Sequence, residues 1–312
     1  MYGQFEQLEA YLESLWMQYL GVQAPGGSPG ASGGGAENAA NPPADPPISQ
    51  STNPPANPPA NPPADPPASQ PSGPAPDAAP QAGAPALVFT NEADTLEAGD
   101  GDDVLNGLGG DDTIHGGAGD DTIRGGAGHD NIYGDDGDDV LYGGAGKEDF
   151  WGGAGDDTIY GNDDQDIALG GDGDDRIWGG GGDDVFSGED GDDVLYGEGG
   201  NDSIWGGADD DTIYGGGGDD RIEGDGGNDT LYGGGGRDLF ITDLGDGADI
   251  VADFNPRQDD LAFRGIFASV GDALAHASQL GGAVVFDTGG GNSLTVLKTS
   301  LAELSDANIV IM

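Results

Sequence analysis

The sequence predicts an all-β fold, a right-handed parallel β-roll, and two observations carry this prediction. Residues 98–241 divide into sixteen consecutive units of nine residues without a gap, and a fixed short period indicates a solenoid built of repeated coils. Sixty-four glycines, together with 59 acidic residues against eight basic ones, give a formal charge of -51. A chain of this composition folds poorly by burial of apolar side chains alone, so we expect it to bind a small cation.

Composition also excludes several classes of partner. Nucleic acids and anionic lipid surfaces are recognised through clusters of Lys and Arg, and the chain has no basic residue before Arg124. Residues 1–30 lack the positive segment and apolar run of a secretory signal peptide, and no stretch approaches the roughly 20 apolar residues of a membrane span. Because the chain has no cysteine, we expect its stability to come from metal rather than from disulfides.

Residues 1–22 are predicted to form an amphipathic helix. Its apolar residues follow the alternating four- and three-residue spacing of a heptad seam. They are Met1, Phe5, Leu8, Leu12, Leu15, Tyr19 and Val22. Docking on the roll, fraying and self-association all stay open for this helix, since three heptads are marginal for a coiled coil.

Residues 23–86 are predicted to be a disordered linker rich in Pro, Ala and Gly. Nineteen of the twenty prolines fall here, which excludes both helix and sheet. We expect a semi-stiff polyproline II spacer with a reach on the order of 100 Å.

The roll is predicted over residues 87–250, in units of the pattern G-G-x-G-x-D-x-U-x, where U is a large apolar residue. The unit 116–124, for example, reads GGAGDDTIR. The first six residues are expected to form a turn, in which glycines bring carbonyl oxygens close together. The last three are expected to form a short strand whose middle side chain points inward. Two units then make one coil, and stacked coils pair as two parallel sheets with a rise of about 4.8 Å per coil.

The turns are predicted to bind calcium. The sixth-position Asp adds a carboxylate to the carbonyl oxygens, and two stacked turns can supply the roughly six to eight oxygen ligands of this ion. Magnesium prefers a smaller octahedral shell, and metals that seek thiolate or imidazole find no cysteine and only three histidines. The predicted ligands are Asp103, Asp112, Asp121, Asp130, Asp139, Asp157, Asp175, Asp184, Asp193, Asp202, Asp211, Asp220, Asp229 and Asp238.

If every gap between stacked turns is filled, the roll holds roughly fourteen ions. Two units depart from the pattern. Unit 143–151 carries Glu148 in place of Asp, and unit 161–169 has Asp164 at a glycine position and small Ala168 in the core. Weaker or missing ions are expected there, around Glu148 and Asp166. Asp209 also replaces a glycine, but Asp tolerates left-handed backbone better than most residues.

Metal binding and folding are expected to be one event. Carboxylates stacked a few ångströms apart repel one another until a cation neutralises them. Without its metal, an Asp/Gly-rich tract has the composition of a disordered chain.

An aromatic row is predicted on one face of the roll. Every Tyr and Trp beyond Tyr19 occupies the ninth position of a unit, which points outward. The odd-numbered units share one sheet and contribute Tyr142, Tyr160, Trp178, Tyr196, Tyr214 and Tyr232. Two interpretations stay open. Stacked rings stabilise a sheet by themselves, whereas an exposed apolar strip also marks contacts with a glycan, a partner or another copy.

At these repeats the chain resembles the RTX (repeats-in-toxin) family of hemolysin-type calcium-binding proteins. The segment 245–254, followed by Asp259-Asp260-Leu261, is similar to the closing coil and cap of secreted RTX enzymes. The resemblance implies one more ion at Asp249 and Asp253. It also implies export by a type I secretion apparatus, directed by an uncleaved C-terminal signal.

Residues 251–312 return to ordinary globular composition, and we expect them to cap the roll and to carry that signal. The predicted elements are a helix near Gly271–Leu280 and strands at Ala283–Asp287, Ser293–Leu297 and Ile309–Met312. Such a cap is needed because an open solenoid end exposes core side chains and unpaired backbone.

An enzyme is not expected. None of the three histidines lies in an H-E-x-x-H pattern, and nothing before residue 87 could form a catalytic domain. The sequence predicts a secreted calcium-binding protein, extracellular or associated with the cell surface, with a structural or adhesive role. The alternative is a carbohydrate-binding module, or an accessory of a separate enzyme, that uses the aromatic face.

Overall fold

The computed structural model describes residues 90–304 and 308–312. The predicted helix over residues 1–22 and the predicted linker over residues 23–86 lie outside the described residues. Within the described part of the chain, no helix is long and apolar enough to cross a membrane.

Strands follow one another with one strand for each nine-residue unit. In the roll they are β1 (Thr95–Glu97), β2 (Val104–Asn106), β3 (Thr113–Ala118), β4 (Thr122–Ala127), β5 (Asn131–Asp136), β6 (Val140–Ala145), β7 (Asp149–Ala154), β8 (Thr158–Asp163), β9 (Ile167–Asp172), β10 (Arg176–Gly181), β11 (Val185–Asp190), β12 (Val194–Gly199), β13 (Ser203–Ala208), β14 (Thr212–Gly217), β15 (Arg221–Gly226) and β16 (Thr230–Gly235). The chain continues through β17 (Leu239–Thr242), β18 (Ala248–Val251), β19 (Asp260–Phe263), α1 (Val270–Ala275), β20 (Ala277–Leu280), β21 (Ala283–Gly289), β22 (Asn292–Leu297) and β23 (Ile309–Ile311).

Odd-numbered and even-numbered strands form two separate sheets. One sheet has 11 strands: the odd-numbered strands from β1 to β19 in chain order, followed by β23. The other sheet has 12 strands: the even-numbered strands from β2 to β18 in chain order, followed by β22, β21 and β20. Neighbouring strands of the roll are parallel, and paired residues lie 18 positions apart, as Ile213 pairs with Leu231. Two units therefore make one coil, which confirms the predicted parallel β-roll.

The prediction of three-residue strands was wrong in length. Most strands span six residues, from the seventh position of one unit to the third position of the next, as in Thr212–Gly217. The glycines that were assigned to the turn instead continue the ladder, because their backbone groups pair with those of the next coil. The Gly200 amide, at a fourth position, donates to the carbonyl oxygen of Gly217 at 3.0 Å. Only the fourth to sixth positions are left to make the turn.

The second and fourth positions of most units adopt left-handed backbone. Gly216 and Gly218 have φ of 105° and 147°, a region that favours glycine because it has no Cβ. Asp209, at a fourth position, has φ of 75°, and Asp164 has φ of 76°. The expectation that Asp209 can replace glycine there is confirmed.

The core is a column of eighth-position side chains between the two sheets. From Leu96 to Phe240 these side chains are at most 4% exposed. Ala168 is the small member, and it lies in register between Phe150 and Phe186 on the neighbouring coils. Only a small cavity lined by these two rings and Ala168 remains there. The two phenylalanine rings therefore fill most of the space that the small Ala168 side chain leaves.

The C-terminal segment continues both sheets. β23 adds a parallel strand beside β19, and β22 pairs in parallel with β18 before the hairpin β20–β21 turns the sheet antiparallel. The helix predicted near Gly271–Leu280 is wrong in its second half. The observed helix ends at Ala275 with the cap residue His276, because the following residues pair with β21 instead.

Ion pairs join this segment to the roll. Glu223, a ninth-position residue that is 1% exposed, contacts Arg264 at 2.7 Å and Arg221 at 2.7 Å. Arg264 also contacts Asp243 at 2.9 Å. Since Arg264 follows β19, this network ties the last coils to the segment that covers them.

Replacing Ala168 with Leu is expected to destabilise the calcium-loaded roll by about 1–3 kcal/mol, because Phe150 and Phe186 already occupy most of the space. Combining it with Phe186→Leu should recover much of the loss. Thermal unfolding in calcium measures both, with Ala127→Leu at an exposed position as the control. Stabilisation by Ala168→Leu alone would show that the phenylalanines do not fill the site.

Candidate metal centre

Sixth-position aspartates form a ladder along each edge of the roll. One oxygen of each carboxylate, Oδ1, accepts a hydrogen bond from the backbone amide of the sixth-position residue one coil earlier. The Asp202 amide donates to Asp220 at 3.0 Å, and the Asp193 amide donates to Asp211 at 2.9 Å. Each carboxylate is thereby held in one orientation by the coil that precedes it.

The second oxygen of these carboxylates is buried and has no hydrogen-bond partner. This Oδ2 atom is found in Asp112, Asp121, Asp130, Asp139, Asp157, Asp166, Asp175, Asp184, Asp193, Asp202, Asp211, Asp220, Asp229 and Asp238. Buried charged oxygens without partners are costly. A repeated series of them therefore indicates positions meant for a ligand.

Two sixth-position aspartates differ from the sequence prediction, and the first of them, Asp103, does not have a buried Oδ2 without a partner. Asp103, a predicted ligand, is only partly buried and lies in the first coil; its amide donates to Asp121 at 2.7 Å. Asp166, where a weaker or missing ion was expected, has its carboxylate placed like the others, with Oδ1 accepting from the Glu148 amide at 2.8 Å. The sixth position of Asp166 in its unit indicated a ligand. The weaker or missing ion was expected because of Asp164 and Ala168 in the same unit.

Each orphan oxygen faces a space that only glycine leaves open. A Cβ at Gly215, a first-position residue, would lie 2.5 Å from Oδ2 of Asp220 and 2.8 Å from the carbonyl oxygen of Gly233 in the next coil. A Cβ at Gly206 would collide with the equivalent atoms of Asp211 and Gly224. The absent side chain thus leaves a cradle lined by a carboxylate oxygen and a carbonyl oxygen.

This cradle fits a hard divalent cation of the size of calcium. Its donors are oxygens, which calcium prefers, and calcium accepts a ligand shell without strict angles. Among residues 90–304 and 308–312, no three Asp, Glu, His or Cys side chains converge as a metal site. An ion here would therefore draw most of its oxygens from the backbone, with the sixth-position carboxylates supplying the negative charge.

Burial raises the pKa of these carboxylates. It raises the pKa of Asp220 to about 6, and that of Asp211 to about 8 with further repulsion from Asp193. In Asp202, burial and repulsion from Asp184 and Asp220 raise the pKa to about 8. The charged form of each group is disfavoured until a cation lies beside it.

Glu148 interrupts the ladder. Both of its carboxylate oxygens are buried without a hydrogen-bond partner, whereas an Asp at this position has one oxygen bound to the preceding coil. Burial raises the pKa of Glu148 to about 9, with repulsion from Asp166 as the next cause. The longer side chain still reaches its turn, since a Cβ at Gly143 would lie 2.5 Å from Oε2. Weaker calcium binding at this coil remains a prediction.

A second ladder, which was not predicted from the sequence, runs in the opposite direction along the fifth positions. The Asp138 amide donates to Asp120 Oδ1 at 3.2 Å, and the Asp156 amide donates to Asp138 Oδ1 at 3.0 Å. The signal was present, because Asp recurs at the fifth position of most units, but that position was treated as variable. These side chains are exposed and link successive coils.

The two residues assigned an extra ion by resemblance differ from each other. Asp249 continues the sixth-position ladder, accepting from the Asp229 amide at 3.2 Å. Asp253 instead accepts from the amides of Gly233 at 2.9 Å and Gly234 at 3.0 Å, one with each oxygen. A metal role for this pair remains a prediction.

The predicted aromatic row is a continuous stack of rings. From Tyr142 to Tyr232, successive ring centroids lie 4.6–5.1 Å apart with interplanar angles of 4–17°. The Arg124 guanidinium covers the outer face of Tyr142 at 4.9 Å from its centroid. A shorter stack of His115, Tyr133 and Trp151 occupies the other sheet. The ring faces are therefore used by neighbouring rings. The row is also less exposed than expected, because Tyr196 is only 6% exposed and the other five rings are half-buried.

Raising the pH is expected to destabilise the metal-free roll. The folded-state pKa values of Asp220, Asp211 and Asp202 lie above the unfolded value of 3.8. The folded state therefore binds more protons, and the stability present below about pH 4 is lost as the pH rises through about 6 to 8. Circular dichroism in chelator should show more β structure at acid pH than at pH 8. Gain of structure with rising pH would contradict this.

Removing one ring from the middle of the aromatic stack is expected to destabilise the roll, because two stacked pairs are lost together. Each pair contributes about 0.5–1.5 kcal/mol beyond its burial. Tyr196→Leu should therefore lower the unfolding temperature in calcium more than Tyr232→Leu, since Tyr196 stacks on two rings and Tyr232, at the end of the row, stacks on one. Equal effects of the two substitutions would show that stacking contributes little.

Known proteins compare with the chain as follows. The family model described as the RTX calcium-binding nonapeptide repeat (4 copies) matches it in overlapping stretches over residues 90–251. Comparison with the curated proteins gave no match.

Two solved structures share similarity over parts of their length. The extracellular lipase LipA from Serratia marcescens is 21% identical over 64% of this chain and 40% of the lipase, with a TM-score of 0.34. The AlgE6R3 subunit of the Azotobacter vinelandii mannuronan C5-epimerase is 26% identical over 48% of this chain and 80% of that subunit, with a TM-score of 0.21. The chain thus spans well under two thirds of the lipase.

The nonapeptide units, the parallel coils and the family match over about half of the chain agree with one another. The chain belongs to the family of proteins with RTX calcium-binding nonapeptide repeats.

Proposed function

We propose that this chain is a secreted calcium-binding RTX protein that folds on calcium after type I export and has a structural or adhesive role outside the cell. The observation that carries the proposal is the series of buried carboxylate oxygens without partners, each facing an oxygen-lined cradle. A folded roll with these groups charged and no cation beside them is strongly disfavoured. Calcium is therefore the condition for folding.

The ligands in this proposal are the sixth-position aspartates, including Asp103 at the first coil and Asp166 in the irregular unit. Each would contribute Oδ2, and first-position carbonyl oxygens such as that of Gly224 would complete part of the shell. Bound calcium supplies positive charge to a chain whose formal net charge is -51. The Oδ1 hydrogen bonds form together with the coils and hold each carboxylate in one orientation, with Oδ2 turned toward the cradle.

Export as an unfolded chain follows from the same requirement. Calcium is scarce in the cytosol, so the carboxylates would stay uncompensated and the roll unfolded until the chain is outside. A type I apparatus and a C-terminal signal remain what the family resemblance implies. The proposed location is extracellular or on the cell surface.

The aromatic stack bears on the choice between a structural role and a carbohydrate-binding one. Sugar rings bind aromatic residues through exposed ring faces, and here those faces contact neighbouring rings at 4.6–5.1 Å. This favours a stabilising role for the stack. A glycan array in calcium, and sedimentation of the chain with Trp178, Tyr196 and Tyr214 replaced by Ser, test the remaining glycan and self-association hypotheses.

Calcium titration followed by circular dichroism tests the proposed function. The full chain should be largely unfolded in chelator and should gain β structure cooperatively with calcium. Asp211→Asn keeps an oxygen to accept from the Asp193 amide but places an uncharged amide toward the cradle, so the transition should need more calcium. Gly206→Ala should act in the same direction, because its methyl group enters the cradle.

Gly282→Ala is the matched control, since a Cβ there meets nothing within 4 Å. It should leave the calcium midpoint unchanged. A roll that is equally folded in excess chelator, or an Asp211→Asn chain with the midpoint of the native sequence, would refute calcium-coupled folding through these turns.

A further inference from the structure

A single Asn-Gly pair occurs in the chain, at Asn106 and Gly107. Asn106 is the last residue of β2, and Gly107 is the first residue of the second nine-residue unit. In flexible chains, Asn followed by Gly is prone to deamidation, because glycine has no side chain to keep its amide nitrogen away from the preceding carboxamide. The position of this pair within the roll therefore decides whether the reaction can occur.

Two hydrogen bonds hold the pair away from reaction in the folded roll. The Gly107 amide, which would be the attacking group, donates to the carbonyl oxygen of Arg124 in the next coil at 2.8 Å. The side-chain oxygen of Asn106 accepts from the Leu108 amide at 3.0 Å. Cyclisation requires both bonds to break and the backbone between them to rotate.

Close packing adds a second restraint on the same peptide. A Cβ at Gly107 would collide with Oδ2 of Asp112 and with the carbonyl oxygen of Gly125. Gly107 is the first-position residue of the unit that carries Asp112, and its missing side chain leaves room for that carboxylate. The backbone there cannot rotate without opening the cradle that this unit forms.

We propose that Asn106 is a deamidation site that the folded roll protects and the unfolded chain exposes. Its dependence on calcium rests on the proposed function, in which the metal-free chain is unfolded. Protection by the fold itself rests only on the contacts of Asn106 and Gly107. The extent of deamidation at Asn106 then measures how long the first coils of a molecule have been unfolded.

The chemistry needs only water. The Gly107 amide nitrogen forms a bond to Cγ of Asn106, the bond from Cγ to Nδ2 breaks, and ammonia leaves, which gives a succinimide. Water then adds to either carbonyl of the ring and yields Asp or isoaspartate at position 106. Isoaspartate is expected as a substantial product because both carbonyl groups of the succinimide are open to water.

Isoaspartate at position 106 would damage the first coils of the roll. It places an additional methylene in the main chain directly before Gly107, so residues 107–112 can no longer align with residues 125–130 on the next coil. The Gly107 hydrogen bond to Arg124 and the orientation of Asp112 both depend on that alignment. Later coils keep their own contacts and should still fold on calcium.

The experiment compares the full chain held at mildly alkaline pH in calcium, in chelator, and in urea with calcium. Peptide mass spectrometry follows the mass change and the isoaspartate content at position 106. We expect fast deamidation in chelator and in urea and at least tenfold slower reaction in calcium. The peptide containing Asn131, which precedes Ile132, should change little in every arm.

The outcomes separate this inference from the proposed function. Equal rates in calcium and in urea would overturn protection by the fold. Slow reaction in chelator with fast reaction in urea would support protection by the fold while contradicting calcium-coupled folding.

Two variants separate the backbone change from the charge change. Asn106→Gln cannot form the same ring readily, so after incubation in chelator it should regain full β structure on calcium addition. Asn106→Asp carries the new charge without the longer backbone, and before incubation it should titrate like the native sequence. The incubated native chain should regain less structure than either. Full recovery of the deamidated chain would contradict the predicted damage to the first coils.

Discussion

The roll depends on one electrostatic constraint, the burial of negative charge in regular rows between its coils. Among the residues that the structure describes, fourteen sixth-position aspartates have an oxygen that is buried without a hydrogen-bond partner, and burial raises the pKa of most of them. Apolar packing cannot offset this, because each unit contributes one large core side chain and little else. A bound cation resolves the constraint, and the glycines, the oxygen-lined cradles and the stacked turns are all consistent with that solution.

Much of this architecture was predictable from sequence because its causes repeat. The nine-residue period indicated the coil, the eighth position indicated the core, and the sixth position indicated the carboxylates. The strand length is not predictable in the same way, because glycine is more typical of turns than of strands. In the structure the first three positions of most units pair with the next coil. Glycine is still required at the first of these positions, because a Cβ there would collide with the sixth-position carboxylate.

The features that escaped prediction depend on contacts between coils. The fifth-position ladder requires knowing that an exposed Asp lies beside the amide of the next coil, which no pattern within one unit states. The second half of the predicted helix, Ala277–Leu280, has helix-compatible residues, but pairing with β21 decides its structure. Ala168 appeared to be a defect in the core, whereas the register places Phe150 and Phe186 on either side of it.

The registration of coils at 18 residues has a consequence for how such a protein can change in length. Up to the last repeat unit, the carboxylate ladders and the aromatic row connect residue i to residue i+18, as Tyr196 stacks on Tyr214. Gain or loss of a pair of units would leave all remaining neighbours matched, while gain or loss of a single unit would exchange the two faces beyond that point. Evolution by duplication is therefore free to lengthen or shorten the roll in steps of two units, and the aromatic row would end at any single-unit insertion.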